Sequence, residues 1–482
     1  MDKNTKLPYD VTDPISIFEY AKPLIGHTLR EIVGDDAIAG FKPDRNAKGL
    51  LGQMVEELYY HYKPNSSPEP DFKEAGVELK TTGLKQLKDL SLQIKERLVI
   101  DMIDYKEVVN HTFEMSVFYK KFRLMLLLFY LYAKDLEQFD RIFLYVVLWK
   151  IPEKDLLIIK HDYQVIIDKI KKGEAHLLSE GDTEYLGACR KGQKGDSLRE
   201  QPFSQIGAPR RAFSLKPSYM RTVLEYIKAS GKSSVVNFDY RIKDEQLVSS
   251  QELQEKSFEQ IILESYAPYL GKSYEELCSA LGIRYDKSKD KYARIASRIV
   301  TGKSINVNKT EEFKKAGLQM KTIRVELNGR IKEAMSFENI DYHEVLETDN
   351  WEDSRLYEIF TGRFLFVIYK ADGGKIKFFD YQNNKYVEEN SYSLDSVFFW
   401  TMPSEDIALA EKYWNHIRQT IKDNHIDPKY FNSPQNERFH VRPKGRDSKD
   451  LADNPNGGKA KKYCYWFNNE YVREIVKNNG TK

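Results

Sequence analysis

The sequence lacks the features that mark several large classes of protein. It has three cysteines in 482 residues, Cys189, Cys278 and Cys464, and their wide spacing fits neither a disulfide framework nor a metal-ligand motif. The longest apolar runs, 124–132 and 142–149, are much shorter than the ~20 residues that a membrane-spanning helix needs. The amino-terminal residues contain no apolar segment typical of a secretory signal. We therefore expect a soluble, cytoplasmic protein with no membrane partner.

Two common kinds of enzyme motif are also missing. The Gly-Lys-Ser triplets at 271–273 and 302–304 lack the upstream glycine of a phosphate-binding loop. The nine histidines form no HExxH or zinc-ligand pattern. There are 75 basic and 73 acidic residues, and the net charge is +2. This balance neither indicates nor excludes a nucleic acid partner, because such binding needs basic charge on one face and not a basic total.

The sequence contains an internal duplication. Four segments recur in the same order and at a nearly constant spacing, which is too long for a solenoid repeat. The paired segments are 21–26 with 267–271, 72–81 with 313–322, 103–108 with 340–345, and 149–155 with 400–406. The duplication predicts two copies of one domain, at 1–232 and 256–482, joined by a polar linker at 233–255.

The spacing of apolar residues predicts a mixed α/β (α+β) domain, with a central sheet flanked by helices in each copy. Helical spacing in the first copy predicts helices at 15–34, 47–62 and 154–171. Alternating or continuous short apolar runs predict strands at 76–82, 96–104, 123–132 and 141–149.

The first of these strands carries a candidate catalytic motif. Residues two apart on a strand share a face, so Glu78 and Lys80 project together. The span before the strand permits a turn that would return Asp71 beside Glu78. Two converging carboxylates suit Mg²⁺, and an adjacent lysine can orient or deprotonate a water. Asp71, Glu78 and Lys80 are therefore candidates for metal-dependent phosphodiester hydrolysis.

A solvated strand face is the plainer alternative, because an acid-x-Lys pattern arises easily in a charge-rich sequence. The second copy favours the catalytic interpretation. There, Glu312 aligns with Asp71 and Gln319 with Glu78, while the lysine persists as Lys321. We interpret these three residues as a degenerate second site that has lost its metal ligands.

The residues around the motif resemble the MutH-like branch of the PD-(D/E)xK nucleases. The segments that carry the resemblance are 52–56, Asp71, 76–81 and 114–124. The two-copy length is similar to the large two-domain type II restriction endonucleases of that branch, which cut at GATC. The resemblance implies two tandem restriction-endonuclease-like folds, dependence on Mg²⁺, and hydrolysis of double-stranded DNA at unmodified GATC sites, 5′ of the G.

The same resemblance implies a role for each matching residue. It assigns metal ligation to Asp71 and Glu78, water activation to Lys80, support of the metal site to Glu56, and contact near the scissile phosphate to Lys121. Two of these assignments have a neighbouring alternative. Glu57 could replace Glu56, and Lys120 could replace Lys121.

The resemblance also implies DNA contacts in both copies. They fall on Arg190, Lys191, Arg210 and Arg211 in the first copy and on Arg442 and Lys444 in the second. Lys191 and Lys444 align, but Cys189 stands where the family has an arginine, which leaves the role of Arg190 open. Residues 187–216 and 442–462 each hold seven basic residues, against two and three acidic ones. Such segments are typical of loops that reach into a DNA groove.

The expected partners are double-stranded DNA and a cognate methyltransferase. With one active copy per chain, a monomer in solution would pair on DNA to cut both strands, or nick twice. We expect the second copy to bind a second GATC site, as a tether or as an activator. Two alternatives are a mismatch-repair-type strand nickase at GATC and a non-catalytic DNA-binding protein with a vestigial nuclease fold. The sequence leaves open which methylation blocks cutting.

Overall fold

The computed structural model describes residues 7–41, 49–63, 67–87, 90–192, 197–236, 244–285, 288–331, 334–380, 384–432 and 437–480. The chain divides into two compact units, Met1–Lys243 and Asp244–Lys482. Each unit combines helices with strands, which confirms the predicted mixed α/β class.

The first unit begins with short helices and then alternates strands and helices. Its helices are α1 (Pro14–Ala21), α2 (Leu29–Val33), α3 (Asp35–Gly40), α4 (Leu50–Met54), α5 (Val117–Phe122), α6 (Glu153–Lys171) and α7 (Pro217–Ser230). Its strands are β1 (Glu78–Gln86), β2 (Leu92–Ile94), β3 (Leu98–Met102), β4 (Leu124–Leu131), β5 (Phe143–Lys150), β6 (Leu186–Arg190), β7 (Arg199–Gln201), β8 (Ser204–Ala208), β9 (Arg211–Leu215) and β10 (Ser233–Val236).

The main sheet of the first unit has the strand order β10-β5-β4-β1-β2. Strand β1 pairs in parallel with β4, which pairs antiparallel with β5. Residues 125–129 of β4 and 146–149 of β5 are buried, as expected for central strands covered on both faces. A second sheet, β3-β9-β6, stands beside helices α5 and α6.

The second unit has the same kinds of element. Its helices are α8 (Ser250–Glu255), α9 (Phe258–Tyr266), α10 (Tyr274–Leu281), α11 (Lys291–Thr301), α12 (Glu311–Ala316), α13 (Tyr342–Glu347), α14 (Arg355–Thr361), α15 (Ser404–Lys422), α16 (Pro428–Phe431) and α17 (Asn469–Asn479). Its strands are β11 (Gln319–Val325), β12 (Met335–Asn339), β13 (Arg363–Asp380), β14 (Lys385–Thr401), β15 (Phe439–Pro443), β16 (Leu451–Asp453), β17 (Lys459–Lys461) and β18 (Tyr463–Phe467).

The two units repeat one strand topology. Strand β11 pairs in parallel with β13, which pairs antiparallel with β14, as β1, β4 and β5 do. The second sheet, β12-β18-β15, likewise repeats β3-β9-β6. The register also matches, since Glu78 lies opposite Met125 in the first unit and Gln319 lies opposite Phe364 in the second.

A buried hydrogen bond between helices recurs as well. The Tyr219 hydroxyl donates to Asp155 at 2.7 Å in the first unit, and the Tyr471 hydroxyl donates to Asp406 at 2.7 Å in the second. Both aspartates belong to one of the segment pairs that revealed the duplication in the sequence. Buried polar groups need such partners, so each unit has kept both members of the pair.

The structure differs from the sequence prediction at three places. The helix predicted at 15–34 is interrupted after α1, where Pro23 lies in a short 3₁₀ turn. The helix predicted at 47–62 becomes α4 followed by a π-helical turn, and its first two residues lie outside the described residues. Within the predicted linker 233–255, residues 233–236 form β10 against β5 and 250–255 form α8, while 237–243 lie outside the described residues.

The three cysteines are free and buried, which agrees with packing roles. Among the described residues, no helix is long and apolar enough to cross a membrane.

Asp162 on α6 fixes the start of β6. Its fully buried carboxylate accepts backbone hydrogen bonds from Glu184, Tyr185 and Leu186 at 2.7 to 2.9 Å. We expect Asp162→Ala to lower the free energy of unfolding by about 3 kcal/mol or more, because three buried N–H groups lose their acceptor. Urea unfolding measures the change, with the exposed Gln164→Ala on the same helix as control. Equal unfolding midpoints for the two variants would contradict this role.

Candidate active site

A short turn brings Asp71 beside Glu78 at the start of β1. Phe72 and Val77 exchange backbone hydrogen bonds of 2.9 and 3.2 Å, which close the chain between them. The Asp71 N–H then donates to Glu78 Oε2 at 3.3 Å, and the Leu79 N–H donates to Asp71 Oδ2 at 2.9 Å. Asp71 therefore returns to the strand as the sequence pattern predicts.

The two carboxylates lie in a buried, charge-rich environment. Glu78 is only 2% exposed and accepts a hydrogen bond from Lys80 Nζ at 2.7 Å. Burial and the nearby charge of Glu78 raise the pKa of Asp71 to about 6, against the opposing effects of the Leu79 N–H and two lysines. Carboxylates that repel each other in this way are stabilised when a cation binds between them.

Glu56 faces the same site from the π-helical turn Val55–Tyr59. Burial, together with the charges of Asp71 and Glu78, raises the pKa of Glu56 to about 8. Lys80 and Lys121 also act on the charge of Glu56, which lies near the carboxylate cluster. A π-helical turn widens the helix locally, and such turns are frequent at functional sites.

The two neighbouring lysines of α5 point to different partners. Lys121 Nζ lies 4.0 Å from the Asp101 carboxylate, and its charge acts on both Asp71 and Glu56. Lys120 Nζ instead binds the Glu69 carboxylate at 2.9 Å. The structure thus places Lys121, and not Lys120, beside the carboxylate cluster.

Asp101 on β3 is a site residue that the sequence prediction missed. Burial raises the pKa of its carboxyl, which Lys121 partly opposes, and the charges of Glu78 and Lys80 also act on it. A single acid in the otherwise apolar sequence Leu-Val-Ile-Asp-Met was the available signal. That signal could not show which other groups Asp101 meets, because β3 belongs to a different sheet.

Tyr62 is the second missed residue. Its hydroxyl oxygen is buried and, among the described residues, has no hydrogen-bond partner. Burial and the charges of Asp71, Glu56 and Glu78 hold the pKa of this hydroxyl well above its usual value. Tyr62 therefore borders the carboxylate cluster with a free polar group, a role that its place at the end of the predicted helix did not indicate.

The donor set suits a hard divalent cation. Within the described ranges, no three His, Cys, Asp or Glu side chains are arranged to hold a metal ion together. Mg²⁺ needs only one or two carboxylates, because it keeps several waters and accepts phosphate oxygens. Asp71 and Glu78 supply such a pair, and Asp71 Oδ1 accepts no hydrogen bond from the residues that the structure describes.

The predicted DNA contacts of the first unit divide into two groups. Arg190 and Arg210 are exposed, and Lys191, half-buried, binds the Arg210 carbonyl through its backbone N–H at 2.8 Å. Arg211 does not share this exposure. Its guanidinium donates to the carbonyls of Ala188 and Leu178 and thereby holds the backbone around β6. A DNA contact of Arg211 stays a prediction.

The second unit carries the counterpart of the site with amides in place of both carboxylates. Asn308 Oδ1 accepts a hydrogen bond from the Met320 N–H at 2.7 Å, as Asp71 Oδ2 does from Leu79. Gln319 opens β11 as Glu78 opens β1. Asn308 is therefore the structural counterpart of Asp71.

Glu312, which the sequence alignment pairs with Asp71, does not lie at this position in the structure. The residues that follow it form helix α12, whereas those that follow Asp71 form a turn, so the sequence match misplaced the acid. The buried Glu312 carboxylate accepts hydrogen bonds from the N–H groups of Leu247 (3.1 Å) and Val248 (3.4 Å). It anchors the start of the second unit and lies outside the degenerate site, which comprises Asn308, Gln319 and Lys321.

Arg442 and Lys444 lie at the exposed end of β15. The Arg442 guanidinium lies 5.6 Å from the ring centre of Trp466, and Lys444 Nζ lies 6.0 Å from it. The Lys444 N–H binds the Lys462 carbonyl at 3.0 Å, the contact that Lys191 makes with Arg210 in the first unit. The alignment of Lys191 with Lys444 therefore agrees with the strand register.

Comparison with known proteins defines the class. A family model of the DNA mismatch repair enzyme MutH matches residues 60–162, which include Asp71, Glu78, Lys80 and Lys121. MutH of Shewanella woodyi is 25% identical over 208 residues, covering 42% of this chain and 87% of the relative. MutH of Shewanella amazonensis is 26% identical over 228 residues, covering 46% and 97%. The first unit is thus a MutH-like nuclease unit.

One relative spans both units. The type II restriction enzyme Sau3AI of Staphylococcus aureus is 32% identical over 485 residues, covering 94% of this chain and 92% of the relative. The chain belongs to the family of large MutH-like type II restriction endonucleases, and it is a site-specific deoxyribonuclease. Its substrate is double-stranded DNA.

Proposed function

We propose that the first unit hydrolyses double-stranded DNA at unmodified GATC sites, 5′ of the G, with Mg²⁺ bound by Asp71 and Glu78. The observation that carries this proposal is the contact set of Asp71, Glu78 and Lys80 at the start of β1. The choice of GATC and of the cut position rests on the family resemblance. Sequencing the ends of a plasmid digest, on methylated and unmethylated DNA, tests both.

The bound metal ion would supply Lewis-acid stabilisation of the phosphate oxygens and an activated water. The Lys80 ammonium lies 2.7 Å from Glu78 Oε1 and can orient that water by donating a hydrogen bond. Glu56 adds a third carboxyl, whose pKa is raised to about 8 by burial and by the charges of Asp71 and Glu78 when no cation offsets them. Lys121 places a positive charge where the phosphate charge develops.

The Lys121 and Lys120 pair offers an internal comparison. We expect Lys121→Met to lower the cleavage rate by about 10- to 100-fold, because a positioned charge on a reacting phosphate is worth a few kcal/mol. Lys120→Met should change the rate by less than about twofold, since it removes only an exposed ion pair with Glu69. Single-turnover cleavage of a short duplex measures both. Equal losses in the two variants would contradict the assignment of Lys121.

For base and phosphate contacts of the first unit, we propose Arg190, Lys191 and Arg210. All three lie at the adjoining ends of β6 and β9, and two of their side chains are exposed. Arg211 is not included, because its guanidinium is bound to backbone carbonyls.

For the second unit, we propose binding of a second GATC site as an effector, through Arg442 and Lys444. Support comes from the exposed basic ends of the strands around Trp466 and from the loss of both carboxylates at the degenerate site. A cognate methyltransferase would protect host DNA, and a chain that is monomeric in solution would pair on DNA.

The effector role predicts activation in trans. We expect a short duplex carrying GATC to accelerate cutting of single-site DNA by about tenfold, a typical size for coupling between sites. Arg442→Ala should abolish the acceleration while leaving the unstimulated rate unchanged. If single-site DNA is cut as fast as two-site DNA, and the added duplex has no effect, the second unit is not an effector.

A mismatch-repair-type nickase is the less favoured function. The MutH relatives match 42% and 46% of this chain, whereas the restriction enzyme matches 94% of it.

A further inference from the structure

The degenerate site of the second unit keeps the side-chain shapes of the nuclease site but lacks the negative charge of its two carboxylates. Asn308 accepts the backbone hydrogen bond that Asp71 accepts, and Gln319 replaces Glu78 at the same strand position. Each substitution exchanges a carboxylate for an amide of almost the same size. If the site had only lost its function, we would not expect both side chains to keep the shapes of the carboxylates that they replace.

Positive charge remains at this site. Lys321 Nζ donates to the Ser336 carbonyl at 3.0 Å, and Lys444 Nζ donates to the Phe337 carbonyl at 2.6 Å and to Ser336 Oγ at 3.1 Å. Two ammonium groups from different strands thus converge on one short stretch of β12. Within the described part of the chain, neither forms an ion pair with a carboxylate. Burial and the charge of Lys444 lower the pKa of Lys321 to about 8, which reflects this lack of a counter-charge.

The nearest acid is already neutralised. Glu338 occupies the position that Asp101 occupies on β3, but the Arg355 guanidinium binds both of its oxygens, at 2.9 and 2.5 Å. In the first unit, Asp101 meets Lys121 instead. The described surroundings of Lys321 and Lys444 therefore carry net positive charge and lack the carboxylates that would hold a metal ion.

The amides add suitable hydrogen-bond donors. Among the described residues, the side-chain NH₂ groups of Asn308 and Gln319 make no hydrogen bond, and both side chains are half-buried. An ammonium group and amide N–H groups are all donors without negative charge, which suits a phosphate oxygen. The half-buried ammonium of Lys321 lacks a counter-ion, which is costly, and a bound phosphate would offset that cost.

We propose that Asn308, Gln319, Lys321 and Lys444 form a metal-independent binding site for a phosphate of the DNA backbone. The inference rests on the proposed function, in which the second unit binds DNA, and it assigns the residues that make the contact. This site binds the backbone at the position that corresponds, in the first unit, to the site of cleavage. It cannot cleave DNA, because it has no metal ligands. Binding by the second unit therefore needs no divalent cation.

The test uses the full-length chain in EDTA, where cleavage is off. Binding of a first and a second GATC duplex is followed by analytical ultracentrifugation over a range of salt concentrations. We expect Lys321→Met to weaken binding of the second duplex by about tenfold and to reduce the salt slope by about 0.9, the value for one lost phosphate contact. Lys256→Met is the matched control, because Lys256 is an exposed lysine of the same unit, paired with Glu264 at 2.5 Å.

A second variant reverses the proposed adaptation. Asn308→Asp combined with Gln319→Glu restores two carboxylates, so binding of the second duplex should be lost in EDTA and recovered in Ca²⁺. If this double variant binds the second duplex in EDTA as tightly as the wild type does, the inference is overturned.

The possible failures are distinguishable. If the wild-type chain binds only one duplex, the proposed DNA-binding function of the second unit fails, and the inference with it. If the wild-type chain binds two duplexes, but Lys321→Met matches Lys256→Met in affinity and salt slope, the inference alone fails.

Discussion

Replacing Glu78 with Gln is expected to lower the cleavage rate by about three orders of magnitude or more, while DNA binding is retained. The substitution copies Gln319 of the second unit and removes one of the two carboxylates proposed to hold Mg²⁺. Loss of a metal ion costs several kcal/mol of transition-state stabilisation. Single-turnover cleavage in Mg²⁺, and duplex binding in EDTA, measure the two effects separately.

The control for this prediction is Glu74→Gln, an exposed carboxylate in the same turn. It changes the local charge equally but lies outside the cluster, so its cleavage rate should stay within about twofold of the wild type, as for most surface changes. A Glu78→Gln chain that still cuts at a comparable rate would refute the proposed metal ligation.

Replacing Lys80 with Met should lower the rate by about 10²- to 10⁴-fold, the usual contribution of a positioned acid–base group. The ammonium of Lys80 is 2.7 Å from Glu78 and next to the proposed site of the attacking water. Metal binding should survive, because both carboxylates remain. For this variant we therefore expect unchanged Ca²⁺ binding by isothermal titration and a lower rate of single-turnover cleavage in Mg²⁺.

Lys85→Met supplies the comparison for Lys80→Met. Lys85 lies five residues further along β1, and an odd separation on a strand places it on the opposite face. Its substitution should leave the cleavage rate within about twofold of the wild type, as expected for a change away from the site. If the two substitutions reduced the rate equally, Lys80 would have no special role in the chemistry.

Three residues of the nuclease site were predictable because they lie close together in the sequence. Asp71, Glu78 and Lys80 lie within ten residues, and the alternation of apolar and polar residues fixes the face on which two of them project. The buried strands β4 and β5 were equally clear from their apolar runs. The duplication predicted the architecture of the second unit, since the same topology recurs there.

The remaining site residues depend on tertiary contacts that no local pattern encodes. Asp101 reaches the site from a second sheet, and Tyr62 from the end of a π-helical turn. The role of Arg211 depends on two carbonyls, one of which lies 33 residues away. Asn308 was hidden because the segment before β11 forms a helix, whereas the matching segment of the first unit forms a turn.

We propose that one chain contains a cutting site with two carboxylates and a binding site of the same shape, in which amides replace both carboxylates. The most direct test gives the first site the amides of the second, by combining Asp71→Asn with Glu78→Gln, and sequences all ends in a plasmid digest. We expect ends only at GATC for the wild type and no ends above background for the double variant, which should still bind DNA. Ends at other sequences, or continued cutting by the double variant, would contradict it.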